Sequence, residues 1–129
     1  MIDSREKILA LESAMRKFQA VDIATFHHFS RGLYAREIRI PKGVLLTGKI
    51  HKYEHLNILL SGKIRICTED VDTVLDAPAT FTAYAGVKKV IFALEDAVFM
   101  NVMATDIKDI EGIEREFVTE DYNDFLGGD

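Results

Sequence analysis

His51 and His55 stand four residues apart in the stretch GKIHKYEH, and on one extended segment that spacing turns both imidazoles to the same face. Neutral imidazoles serve as metal donors, as bases, or as hydrogen-bond partners of a ligand. A divalent ion gives up its water only when several donors converge, so two imidazoles need company. Glu54 has the opposite parity and joins them only across a bulge or turn. Tyr53 shares their parity but is a poor substitute for a carboxylate. A second pair, His27 and His28, lies between Phe26 and Phe29. Adjacent residues of an extended segment face opposite sides, so one of this pair at most can complete a metal set of His51, His55 and Glu54. The plainer use of each histidine is a hydrogen bond to backbone inside a sheet. Cys67, the single cysteine, sits in an apolar strand pattern and reads as a buried structural thiol. No serine or cysteine partners a histidine as a nucleophile, and there is no phosphate loop, zinc-finger spacing or G-x-S-x-G elbow.

The elements that must position these residues are mostly strands. From Gly32 onward short segments rich in β-branched and aromatic residues alternate with turn signals. The segments are YAREIRI, VLLTGKI, EHLNILL, KIRICT, DTVL, TFTAY, KKVIFAL and AVFMNVMA. Pro41-Lys42-Gly43, Ser61-Gly62, Glu69-Asp70, Asp76-Ala77-Pro78, Gly86 and Glu95-Asp96 punctuate them. About eight strands with no helical crossovers predict an antiparallel sandwich or barrel. Before them, Ile8, Leu11, Met15 and Phe18 recur at helical spacing; after them, Ile107, Ile110, Ile113 and Phe117 do so, with Asp106 as the N-cap. Gly112 inside that second helix costs about 1 kcal/mol relative to alanine, so packing must offset it. The expected organisation is one structural domain: residues 1–31 as helix and lead-in, 32–105 as the barrel, 106–129 as helix and acidic tail.

The segment GVLLTGKIHKYEHLNILLSG, Gly43 to Gly62, resembles the first conserved motif of the cupin superfamily, in which a His-x-His pair and a glutamate lie between two glycines. Aligned on Gly62, His51 takes the second histidine position, His55 the glutamate position and Lys49 the first histidine position. The stretch APATFTAYAGVKKVIFALEDAVFMN resembles the second motif, with Gly86 at its turn, Lys89 at its histidine and Asn101 at its asparagine. HHF, GLYAREIRIPKG, FALED and MATD make the chain similar to small cupin-like proteins of phages and prophages. The resemblance implies an all-β, jelly-roll β-barrel with short terminal helices, a homodimer paired through edge strands, and a setting in a phage, with a host or virion protein as a partner.

The resemblance also implies a site built from Lys49, His51, His55 and Lys89. Lysines at two donor positions replace metal ligands by positive charge, which favours a phosphate or carboxylate held by charge-assisted hydrogen bonds, with Arg36 or Arg65 assisting. Three functions stand open. The first is a barrel binding a small anionic ligand such as a nucleotide, sugar nucleotide or carboxylate, with His51 or His55 as a base and Lys49 and Lys89 as clamps. The second is an enzyme with one divalent metal ion on His51, His55 and Glu54. The third is a non-enzymatic interaction protein. Lysines at strand ends also commonly reach out to solvent, leaving no functional pocket.

Bulk properties narrow the field further. The chain has 129 residues, 48% hydrophobic and 29% charged, enough for one core. A formal charge of -5 repels nucleic-acid phosphates and argues against non-specific binding to them. No secretory signal or bilayer-length apolar run is present, so the expected location is cytoplasmic, with no membrane partner.

Overall fold

The computed structural model describes residues 23–119, together with the isolated Glu6. The helix expected over Ile8 to Phe18 and the acidic tail lie outside the described residues. A five-stranded sheet is ordered β1 (Ala24–Ser30), β2 (Leu33–Ile40), β10 (Ala97–Ala104), β5 (His55–Ser61), β8 (Ala79–Ala83). A four-stranded sheet is ordered β3 (Leu45–Thr47), β9 (Val90–Ala93), β6 (Lys63–Cys67), β7 (Asp72–Asp76). A short ribbon joins β4 (Ile50–His51) to β11 (Val118–Thr119), and every pairing is antiparallel.

Strand alternation builds the core. Ile38, Ile40, Leu59 and Phe99 project from the larger sheet onto Ile64, Ile66, Ile91 and Ala93 of the smaller one. Each large side chain buried there contributes roughly 1.5–3 kcal/mol. Gly62 makes the β5–β6 turn at φ 88°, and a Cβ there would lie 2.1 Å from the Asp96 carbonyl oxygen. Only glycine satisfies both conditions.

Helix α1 (Ile110–Phe117) closes one end, packing Ile113 and Phe117 against Tyr34 and Met103. It starts three residues later than its periodicity suggested. Asp109, not Asp106, is the N-cap, its carboxylate accepting from Gly112 N at 2.7 Å. Asp106 instead accepts from Gly32 N at 2.8 Å, tying down the β1–β2 turn. A Cβ on Gly112 would come within 2.8 Å of Ile107 Cγ2 and 3.0 Å of the Asp109 carboxylate, so the glycine leaves room for the cap.

Two further expectations are corrected. The sheet begins at Ala24 rather than after Gly32, because β1 pairs with β2 along its whole length, from Ala24–Arg39 to Ser30–Leu33. Its sequence ATFHHFS carries histidines and aromatics on both faces, which hides the alternation. The stretch VLLTGKI is two strands, interrupted around Gly48, where the amide of Gly48 donates to the Lys89 carbonyl at 3.0 Å. No helix among the described residues is long and apolar enough to cross a membrane.

Candidate functional site

The inner face of the five-stranded sheet changes from apolar to polar at one row. Arg36 on β2 stands opposite Asn101 on β10, which stands opposite Asn57 on β5. His55 follows two residues before Asn57 on the same face, at the start of β5. His51 ends β4 and folds over it, with ring centroids 4.1 Å apart. Lys89, just before β9, closes the chamber and donates from Nζ to Asn57 Oδ1 at 3.1 Å. His51, His55, Asn57, Lys89 and Asn101 are all buried.

The two histidines therefore meet, though not along one strand. Residues 52–54 turn the chain between β4 and β5, and the turn returns His55 to the side of His51. The same turn sends Tyr53 and Glu54 to the surface. Glu54 shares only an outer groove of about 330 Å³ with His55, at the end of the five-stranded sheet. Lys49 is also outside the chamber, its ammonium 3.1 Å from Glu114 of α1. Lys52 and Tyr53 reach the same helix, at the Arg115 carbonyl and the Glu116 carboxylate. Lys49, expected as a clamp, thus straps α1 to the barrel together with Lys52 and Tyr53, and Glu54, expected as a metal ligand, stays at the surface. Arg65 faces outward in a two-point pair with Asp72. His27 turns inward, with Nδ1 2.6 Å from the Tyr34 hydroxyl, whereas His28 meets Glu37 on the outside. Cys67 is only partly buried and donates to Asp72.

Electrostatics follow from burial. Desolvation, reinforced by the charges of Lys89 and Arg36 and by the neighbouring His55, pushes His51 down to about 3. Desolvation and the Lys89 charge push His55 down to about 4. Both rings are therefore neutral at pH 7, each carrying one N–H and one lone pair. Neither His51 nitrogen has a hydrogen-bond partner among the described residues, nor do His55 Nε2, Asn57 Nδ2 and Asn101 Oδ1. Burial brings Lys89 down to about 8, which leaves it roughly ten-to-one protonated at pH 7. No carboxylate of the described residues pairs with it, so its charge rests on one amide oxygen and, 5.8 Å away, the Phe99 ring.

Lys89 also faces a cavity of about 450 Å³ between the sheets, walled by Ile66, Leu75, Phe81, Ala83 and Val87. Exposed Asp70 and Tyr84 stand at its rim. The size is that of an ordinary small-molecule pocket. Asn57, missed by sequence reasoning, had a legible signal: it is two residues from His55, hence on the same face of β5.

Cupin folds commonly hold a divalent metal, which needs several donors converging on one cation. Among the described residues no three His, Cys, Asp or Glu side chains gather to hold a metal ion. The chamber offers two imidazoles and places an uncompensated ammonium beside them. A set without a carboxylate and with a buried positive charge does not fit a divalent cation.

No family model matches the sequence, and no curated protein does. Solved structures do resemble the fold. KdgF from Halomonas sp. superposes with a TM-score of 0.56 at 16% identity, covering 67% of this chain and 84% of that one. A cupin 2 domain-containing protein from Halorhodospira halophila gives a TM-score of 0.57 at 14% identity, covering 72% and 74%. An RmlC-like cupin from Shewanella frigidimarina gives 0.55 at 17% identity, covering 64% and 75%. Identities this low report architecture alone, and together with the antiparallel double sheet they establish that this chain has the cupin jelly-roll fold.

Proposed function

We propose that the protein binds a small carboxylate with an apolar body inside the barrel, the carboxylate on Lys89 and the body in the 450 Å³ cavity. The observation that carries this reading is the buried Lys89 ammonium, hydrogen-bonded to Asn57 Oδ1 and paired with no carboxylate of the described residues. A buried cation is costly unless an anion compensates it, and a ligand supplies that anion. The unpartnered N–H of His51 and the Asn57 amide lie on the same chamber as further donors, whereas His55 donates its Nδ1–H to the Tyr53 carbonyl and turns the Nε2 lone pair to the chamber. With Lys49 engaged by Glu114, only Arg36 joins Lys89 as a cation on the chamber, and the apolar walls of the cavity favour a carboxylate with an apolar body over a nucleotide. The fold assigns no reaction by itself, and none is assigned.

Isothermal titration with benzoate and other aromatic or straight-chain carboxylates tests this, with benzyl alcohol as the neutral control. Loss of a charge-assisted bond in Lys89→Met is expected to weaken binding by 1.5–3 kcal/mol, roughly 10- to 150-fold. Equal affinity of the two proteins removes the proposal. A homodimer belongs to the same proposal, supported by Leu56 and Leu60, which stand 45% and 47% exposed on β5. Light scattering showing a monomer would remove that part alone.

A further inference from the structure

Lys89 joins two environments that differ sharply. On one side is the apolar cavity; on the other are two imidazoles 4.1 Å apart and tilted by 31°, with both His51 nitrogens and His55 Nε2 unpartnered. A hydrated lysine is held protonated by its water shell, whereas this amine faces hydrocarbon walls and is fixed by one hydrogen bond to Asn57. The groups around it contain no acid that would hold it charged. His51 comes from β4, His55 and Asn57 from β5, Phe99 from β10, and Arg36 of β2 acts on the same chamber; Asp70 lines the cavity only at its exposed rim.

We propose that Lys89 Nζ is a nucleophile that captures an apolar aldehyde or ketone admitted by the cavity as a reversible imine. This rests on the reading of the cavity as the ligand site, and it adds carbonyl compounds as a second ligand class. The neutral amine adds its lone pair to the carbonyl carbon, and the carbonyl oxygen becomes the hydroxyl of a carbinolamine as a proton passes from nitrogen to oxygen. Protonation of that hydroxyl and departure of one water leave the carbon–nitrogen double bond. Nothing is oxidised or reduced. Each neutral imidazole has a lone pair that can take the proton from nitrogen and return it to the departing hydroxyl, His55 at Nε2 because its Nδ1–H donates to the Tyr53 carbonyl. His55 lies two residues from Asn57 on the same face of β5, Asn57 holds Lys89 Nζ at 3.1 Å, and the His51 ring packs on His55 at 4.1 Å, so the pair borders the reacting nitrogen. Apolar walls slow the return of water to the imine.

Burial also separates this amine from surface lysines. With its pKa at about 8 rather than 10.5, its neutral fraction at pH 7 exceeds that of an unperturbed lysine by roughly 300-fold. Anion binding and imine formation then have opposite pH dependence. A carboxylate prefers the ammonium and weakens as pH rises through 8, whereas capture of a carbonyl gains over the same interval.

Benzaldehyde and benzoate are a matched pair of probes. The intact protein is incubated with benzaldehyde and cyanoborohydride from pH 6 to 9, and the trapped adduct is located by peptide mass mapping. The expected result is one benzyl group on Lys89, forming at least ten times faster than on any other lysine, faster at pH 8 than at pH 6, and suppressed by excess benzoate. Lys89→Arg, checked for folding by circular dichroism, should lose that fast phase. Benzoate suppression is read on the unmutated protein, so the test survives a variant that fails to fold. Labelling spread evenly over the lysines overturns the imine. If benzoate still binds in that case, the anion reading stands; if neither probe engages Lys89, both readings fall.

Discussion

Lys89→Met should make the protein more stable at neutral pH. The substitution replaces a buried ammonium, 5.8 Å from the Phe99 ring centroid, by an apolar chain of similar length beside the cavity that Phe81 also lines. Burial holds Lys89 at about 8 against an ordinary 10.5. At about 1.4 kcal/mol per pH unit between those values, keeping the charge costs the folded state roughly 3 kcal/mol at pH 7. Losing the bond to Asn57 returns about 1 kcal/mol of that gain, leaving a net stabilisation near 2 kcal/mol. The cost is present in full below pH 8. Between pH 8 and 10.5 the folded amine has released its proton while the unfolded one keeps it, so the unmutated protein gains stability as pH rises. The difference between the two proteins should therefore shrink to less than about 1 kcal/mol by pH 10. Urea unfolding followed by circular dichroism at pH 7 and pH 10 measures this directly. A Lys89→Met protein less stable than its parent at pH 7, or a difference that does not change with pH, would refute the account of the charge as uncompensated.

The buried histidines predict acid lability of a particular kind. Folded His51 and His55 titrate at about 3 and 4, below the unfolded value of 6.5, so the unfolded state takes up protons first as pH falls. The contribution of the two rings should be complete above pH 6.5 and decline by up to about 1.4 kcal/mol per pH unit for each ring down to pH 4, and His51→Gln should flatten that decline in an acid-unfolding series. Gly62→Ala should destabilise by at least about 3 kcal/mol, since it adds a Cβ 2.1 Å from the Asp96 oxygen at φ 88°, and a midpoint in urea unchanged from the parent would contradict the turn geometry. Elemental analysis of tag-free protein should show no stoichiometric zinc, iron, manganese or nickel; a full equivalent that disappears in His51→Ala would restore the metal reading.

Much of the barrel was legible because alternation and turn residues agree with the final fold from Leu33 to Ala104. The same pattern failed at β1, where both faces carry aromatic or imidazole side chains and period two has nothing to distinguish them. At the site, parity brought His51 and His55 together correctly but for an incomplete reason, since a turn at residues 52–54 lies between them and throws Glu54 outward. Lys49 and Lys89 were equivalent in the motif and are opposite in space. Their difference comes from long-range packing: Glu114 of α1, sixty-five residues away in sequence, draws Lys49 out, whereas Lys89 leads into β9 inside the barrel. Asn57 was readable from its parity with His55. Its partnership with Lys89 was not, because strand order decides which side chains converge and a single strand carries no record of it.

The proposed role of Lys89 is to anchor a carboxylate inside the barrel. Calorimetric titration of benzoate and longer carboxylates into the protein and into Lys89→Met at pH 7 tests it most directly. Saturable one-to-one binding to the protein is expected, with none for benzyl alcohol and at least tenfold weaker binding to the variant. Saturable binding of equal strength to both proteins, or no saturable heat from any carboxylate of the panel, would contradict it.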